Sequence, residues 1–164
     1  MSKGFLLKML YLADRELLQR RGQPLTGDQP VAMKNGPVLS NIYDLTKGGL
    51  VEHRAFWEQH ITDAPDGVTE ISLIKESGSE YLSKAEIKVL DEVFDKYHNF
   101  SWSQLVHYCH TLPEWEDPGA SSSSIDFEKI LGALGKNPAE IKEIENQAAE
   151  SRLLDAILKN HAFA

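Results

Sequence analysis

At 164 residues and a formal net charge of −8, the chain is long enough to bury a core without staples, and its acidic balance opposes independent binding to a phosphate backbone. Its one cysteine, Cys109, excludes an internal disulfide and a four-cysteine zinc site. No apolar run reaches the ~20 residues that span a bilayer, and the start, Met1-Ser2-Lys3-Gly4, lacks the uncharged core and small-residue cleavage site of a secretory signal, so a cytoplasmic protein is expected.

The first helix is expected over residues 4–21. At ~100° per residue, Phe5, Met9, Ala13 and Leu17 fall on one side, and Leu7, Leu10, Tyr11 and Leu18 on the other. Lys8, Arg15 and Gln19 form its one narrow polar stripe. A helix apolar almost all round is a central, buried one. Asp14 falls inside the apolar arc, where a carboxylate needs hydrogen-bonding or charged partners. Lys3, Lys8, Arg15, Arg20 and Arg21 read as a solvated face or as a local basic patch. Gly22 stops the helix.

Residues 23–33 read as extended chain around a turn at Gly27-Asp28, with Pro24 and Pro30 limiting it to edge pairing. Asn35-Gly36-Pro37 opens a helix over residues 37–46. Strand signal follows at residues 56–61 and 68–74, separated by Pro65-Asp66-Gly67, whose turn chemistry makes a β-hairpin. Ser83 and Glu86 form a capping box for a helix with Ile87, Leu90, Val93, Phe94 and Tyr97 on its buried stripe. Ser101 and Gln104 form a second box, opening a short helix that runs to about residue 111. The run over residues 117–124 is a loop, the least ordered internal segment. Asp126 caps a helix over residues 127–134, with Ile125 placed as its staple, and Asn137-Pro138 caps the last helix. In that last helix Ile141, Ile144 and Ala148 share one face, while Leu153, Leu154, Ile157 and Leu158 lie on the opposite face. Either it breaks near residues 147–151 and folds back, or its second half docks on a partner or on a second copy as a homodimer.

The chemistry-bearing residues give no catalytic frame. His107 and His110 have workable metal-ligand spacing, with Glu114, Glu116 and Asp117 close behind, but no HExxH or similar pattern surrounds them. The bland reading is one surface and one core histidine, so no metal is expected. Cys109 and His110 are adjacent and point about 100° apart on a helix, so they do not face each other as nucleophile and base. The glycines make neither a P-loop nor a dinucleotide fingerprint, and no cofactor is expected.

The segment Leu6-Leu7-Lys8-Met9-Leu10-Tyr11-Leu12-Ala13-Asp14-Arg15-Glu16 resembles the opening helix of the Panacea-domain family, which includes SocA-type antitoxins and phage-associated proteins. The resemblance continues through Gly22, Pro24-Leu25-Thr26-Gly27-Asp28, Val31-Ala32-Met33 and Asn35-Gly36-Pro37-Val38, with a weaker echo at Leu105, His110 and Pro113-Glu114-Trp115. It covers residues 6–45 firmly and residues 83–116 loosely. Members of that family often carry a further helix ahead of this motif, so a short version, a different start or completion by a partner are the alternatives. The resemblance implies an antitoxin, not an enzyme, that neutralises a co-encoded toxin by direct binding. The kind of toxin does not follow from it, since the domain pairs with unrelated ones. An adaptor delivering a partner to a protease or regulator is the first rival, and a metal-dependent hydrolase using His107 and His110 the second.

The fold expected is α+β: a mostly helical domain with a central buried helix and a small antiparallel hairpin or sheet. Residues 1–134 form the Panacea-like domain and residues 135–164 a C-terminal helical extension. Asp14, Thr26, Gly27, Asp28, Gly36, Pro37 and Val38 are expected to cluster. Asp14 would accept hydrogen bonds from the Thr26–Asp28 turn or from the Gly36–Val38 backbone. His110, Pro113 and Trp115 are the weaker motif.

Overall fold

The computed structural model describes residues 1–49, 54–63 and 69–161. Its centre is α1 (Lys3–Arg21), capped by Ser2, whose side chain accepts from the Phe5 N–H at 3.2 Å. The helix ends at Gly22, whose φ of 72° is left-handed and whose N–H returns to the Leu18 carbonyl. Tyr11, Leu12, Ala13, Leu17 and Leu18 are almost fully buried, so α1 is wrapped by the rest of the chain.

A three-stranded antiparallel sheet lies beside it: β1 (Pro30–Ala32) in the middle, β2 (Val38–Leu39) on one side and a third strand on the other. Residues 23–33 were expected to pair only at an edge. Pro30 tolerates the central position because it is the first residue of its strand, where no N–H is required of it, and its carbonyl accepts from Ile125 at 2.9 Å. Val31 pairs with Val38.

The next helix, α2 (Ser40–Thr46), starts three residues later than expected from Pro37. Val38 and Leu39 are drawn into the sheet, and Leu39, at the cap position, has no side chain that can bond a free N–H. Asp28 caps the helix from a distance instead: its carboxylate accepts from Asn41 N at 3.1 Å and Ile42 N at 3.0 Å.

Residues expected as a strand from Phe56 are mostly helix, α3 (Arg54–His60). The local pairs favour that outcome: Arg54 reaches Glu58 one turn on at 2.7 Å, and the Phe56 ring packs at a 30° tilt on His60 with centroids 4.2 Å apart. Only β3 (Ile61–Asp63) is strand, and it pairs with β4 (Ile71–Leu73) as the expected hairpin, shorter than anticipated. The Pro65-Asp66-Gly67 turn lies outside the described residues. The hairpin is tied to the chain start, since Ile71 N donates to the Met1 carbonyl and Lys3 N to that of Thr69.

Both capping boxes are present, opening α4 (Lys84–Tyr97) and α5 (Trp102–His110). Val89, Val93 and Tyr97 form the buried stripe of α4 against α1, whereas Phe94, expected inside, is 46% exposed and stacks on His98 at 5.1 Å. The serine-rich stretch expected as a loop contains β5 (Ser123–Ser124), which pairs with Val31 and Ala32 and completes the first sheet. Then α6 (Phe127–Ala133) follows Asp126, whose side chain makes no capping bond, contrary to expectation; buried Ile125 anchors the entry.

The last helix, α7 (Pro138–His161), is continuous, so the break expected near residues 147–151 is absent. Asn137 caps it, accepting from Ala139 N and Glu140 N, while Glu140 returns a bond to Asn137 N. Ile141 is buried and Ile144 packs on Gly22; further along, Leu153, Leu154 and Ile157 are exposed. The described residues thus form an α+β, mostly helical fold around one central helix.

Candidate functional site

The motif residues fall into two groups along α1. In the first, the buried Asp14 carboxylate accepts from Leu25 N at 2.8 Å, Thr26 N at 2.9 Å and the Thr26 hydroxyl at 2.5 Å. Thr26 in turn accepts from Asp28 N, and Asp28 caps α2. Burial pushes the Asp14 carboxyl above the ordinary carboxylate range, against the pull of its Thr26 and Leu25 bonds. The chain reverses between Asp14 and Asp28 through Gly27, whose φ of 66° suits a residue without Cβ.

The second group lies six residues earlier on α1, about 9 Å along its axis. Lys8 was expected on the polar stripe, yet it is buried, because the Gly36–Pro37 loop covers that face of the helix. Its Nζ donates to the Pro37 carbonyl at 2.8 Å. Burial lowers its pKa to about 8, while the thiol of Cys109 beside it is pushed up by burial to about 11. Gly36 permits this closeness. Its φ is 98°, and a Cβ there would sit 2.7 Å from Cys109 Cβ and 3.3 Å from Lys8 Nζ. Pro37 and Val38 are buried in the same wall.

The weaker motif arrives at this same loop from the other side. Trp115 Nε1 donates to the Met33 carbonyl at 3.0 Å, His110 Nε2 bonds the Lys34 carbonyl at 3.0 Å, and the two rings stack at 4.0 Å. Three side chains from distant parts of the sequence therefore hold the carbonyls of Met33, Lys34 and Pro37, and Gly36 N closes the turn onto Met33. Pro113 is exposed and makes the bend after α5. The strong-motif residues thus serve two loops laid on α1: Asp14 holds the Leu25–Thr26 turn, and Lys8 holds the loop of Gly36, Pro37 and Val38.

One site feature went unread in the sequence. Glu114 is 1% exposed and accepts from Tyr11 Oη at 2.9 Å and Arg15 Nε at 2.6 Å. The YxxxR spacing puts Tyr11 and Arg15 one turn apart on the same face of α1, the signal for a shared acidic partner. Tyr11 is strongly raised by burial and by Glu114, so it stays a neutral donor.

Of the remaining basic residues of α1, Lys3 donates to the Thr46 carbonyl at 3.0 Å and the two arginines meet carboxylates. Arg20 pairs with Glu16 and Glu92, and Arg21 with Glu86. Lys129 holds Glu116. Glu114 is bound to Arg15 and His110 is stacked on Trp115, and no cluster of three or more ligating side chains occurs among the described residues. No helix among the described residues is long and apolar enough to cross a membrane.

The outer face of the Met33–Val38 loop lines a groove of about 470 Å³. Its other walls are the start of α1, α2 from Tyr43, and the exposed Trp102, whose ring lies against Gly4. A second groove of about 480 Å³ runs between the Gly22–Gly27 turn, α6 and the first half of α7.

Neither a curated protein nor a solved structure matches the chain. The family model described as antitoxin SocA-like, Panacea domain, matches residues 6–116, which include most of α1, both tied loops and the His110–Trp115 stack. The match takes in well over half of the chain, and this protein belongs to the SocA-like antitoxin family of Panacea-domain proteins.

Proposed function

We propose that this chain neutralises a co-encoded toxin protein by binding it directly, in the cytoplasm and without catalysis. The observation that carries the reading is the family match over residues 6–116, in a family whose name is that of an antitoxin. The local chemistry supports it. Asp14, Asp28, Glu114 and Lys8 are buried charged groups, and each is engaged in holding backbone or a neighbouring side chain. In this reading Asp14, Thr26, Gly27, Asp28, Gly36, Pro37 and Val38 build a scaffold, His110 and Trp115 brace it, and a partner is met on its outer surface. Residues 1–134 are the binding domain, and residues 135–164 an extension whose first half rests on it.

The test is co-expression with the product of the adjacent reading frame. Growth restored by this chain, together with a stable complex of the two purified proteins, supports neutralisation by contact. Growth restored with the toxin disappearing from the cell, and stabilised again in a protease-deficient host, favours the adaptor reading instead. An adjacent product whose toxicity is unchanged by this chain refutes both.

A further inference from the structure

We infer that the groove between the start of α1, the Met33–Val38 loop and Trp102 receives an acidic segment of the partner protein that carries an apolar or aromatic side chain. This deepens the proposed function and rests on direct binding as its mode of action. The charge distribution is the first support. The chain has 25 acidic and 17 basic residues, yet the described lining of this groove contains the exposed Lys34 and Lys47 and no carboxylate, while Lys3 in its wall donates to the Thr46 carbonyl at 3.0 Å. Here Lys34 and Lys47 are exposed on the rim, Lys47 lying 5.4 Å from the Tyr43 ring. Among the described residues, buried Lys8 answers to a carbonyl rather than to a carboxylate. The positive end of α1 adds to this field, since its first turn holds no acidic residue.

The second support is the floor. Leu7 and Val38 are buried beneath the opening, and Trp102 stands 42% exposed at its side. An apolar floor under a cationic rim matches a segment whose central side chain is desolvated while its flanking carboxylates meet the lysines. The volume lies within the range of ~300–1,000 Å³ common to ligand pockets. A nucleic acid would be held mainly through phosphates spread along its length, and the net charge of −8 opposes that beyond the groove itself.

The third support is the scaffold. The loop that forms one wall has three carbonyls fixed by Lys8, His110 and Trp115. A wall held this way loses little freedom when a segment docks on it.

The experiment exposes the full chain to an immobilised array of random decapeptides. Enriched peptides should carry Asp or Glu on both sides of an apolar or aromatic residue. The double variant Lys34→Glu, Lys47→Glu should bind the best of them about tenfold more weakly at an unchanged melting temperature, and Trp102→Ala, still folded, should weaken it too. Peptides without acidic enrichment, full binding by the double variant, or tighter binding of a random oligonucleotide overturn the inference. So does self-association that the charge reversal abolishes, which would make a second copy the occupant. These outcomes are read without the toxin, so they are separable from failure to rescue growth, which strikes the antitoxin reading alone.

Discussion

Trp115 donates its indole N–H to the carbonyl of Met33 at 3.0 Å, across 82 positions of sequence. That bond joins the two separated parts of the family motif at one loop, with Lys8 on the loop's other flank. Trp115→Phe keeps most of the ring and its stack on His110 but removes the donor. It should cost about 1 kcal/mol of stability. Denaturant unfolding measures it, and a cost indistinguishable from zero would mean that the loop is held without this bond.

The Asp14 carboxylate satisfies three donors of the Leu25–Thr26 turn. Asp14→Ala strands all of them and should destabilise by about 2–4 kcal/mol. Asp14→Asn keeps one accepting oxygen and can turn its amide toward Thr26 Oγ1, so its loss should be smaller. Melting temperatures of the two variants, ranked in that order, check the arrangement; equal and negligible losses would contradict it.

Lys8 gives a pH signature. Burial lowers its pKa from 10.5 to about 8, so between those values the unfolded chain holds more protons than the folded one. Stability from this group therefore rises with pH across that window and is flat below it. Cys109, raised from 9.0 to about 11, works in the opposite sense, because its folded form retains a proton that the unfolded thiol releases. Comparing the native chain with Lys8→Met leaves most of the cysteine's contribution common to both, since burial outweighs the Lys8 charge among the causes of its shift. The stability difference should shift toward the native chain as pH climbs from about 8 to 10.5. A pH-independent difference would show that Lys8 ionises as an ordinary surface lysine.

Two glycines separate backbone strain from crowding. Gly27 has φ 66° with nothing within 4 Å of an added Cβ, whereas at Gly36 the added Cβ would also strike Cys109. Gly27→Ala should cost about 1 kcal/mol, and Gly36→Ala distinctly more. Unfolding curves that rank the two the other way would displace Gly36 from its role in closing the loop over Lys8.

The C-terminal helix divides by burial. Removing residues 149–164 takes away the exposed Leu153, Leu154 and Ile157 and should leave the melting temperature nearly unchanged. Removing residues 135–164 also strips Ile141 from the core and Ile144 from Gly22, and should lower it clearly. A calorimetric scan of each truncation separates a helix that only extends from one that is half structural.

What the sequence made legible was local and periodic. The central helix, its stop at Gly22 and both capping boxes follow from spacing and side-chain chemistry within a few residues. The failures share a cause, which is a partner far along the chain. Lys8 looked solvent-facing because nothing near it in sequence announces that Pro37 will cover it. Asp28 caps α2 from outside the helix, so the helix starts at Ser40 and not at Pro37. Ser123 and Ser124 carry no strand propensity and are strand only because β1 offers them its free edge. Phe56 and Trp57 read as β-formers, but Arg54–Glu58 and Phe56–His60 pairs favour a turn of helix. For the site, the motif residues were nameable in advance, but their division into two ties on α1, the Tyr11–Arg15–Glu114 network and the lysine-rimmed groove depend on tertiary placement.

The central claim is that this chain acts on its toxin by contact. Titrating the purified product of the adjacent reading frame with the purified full-length chain, while following the toxin's own activity, tests it most directly. The account predicts saturable binding, with activity falling in step with occupancy and ending at a fixed stoichiometry. Tight binding with activity intact, or lost activity with no complex formed, would contradict it.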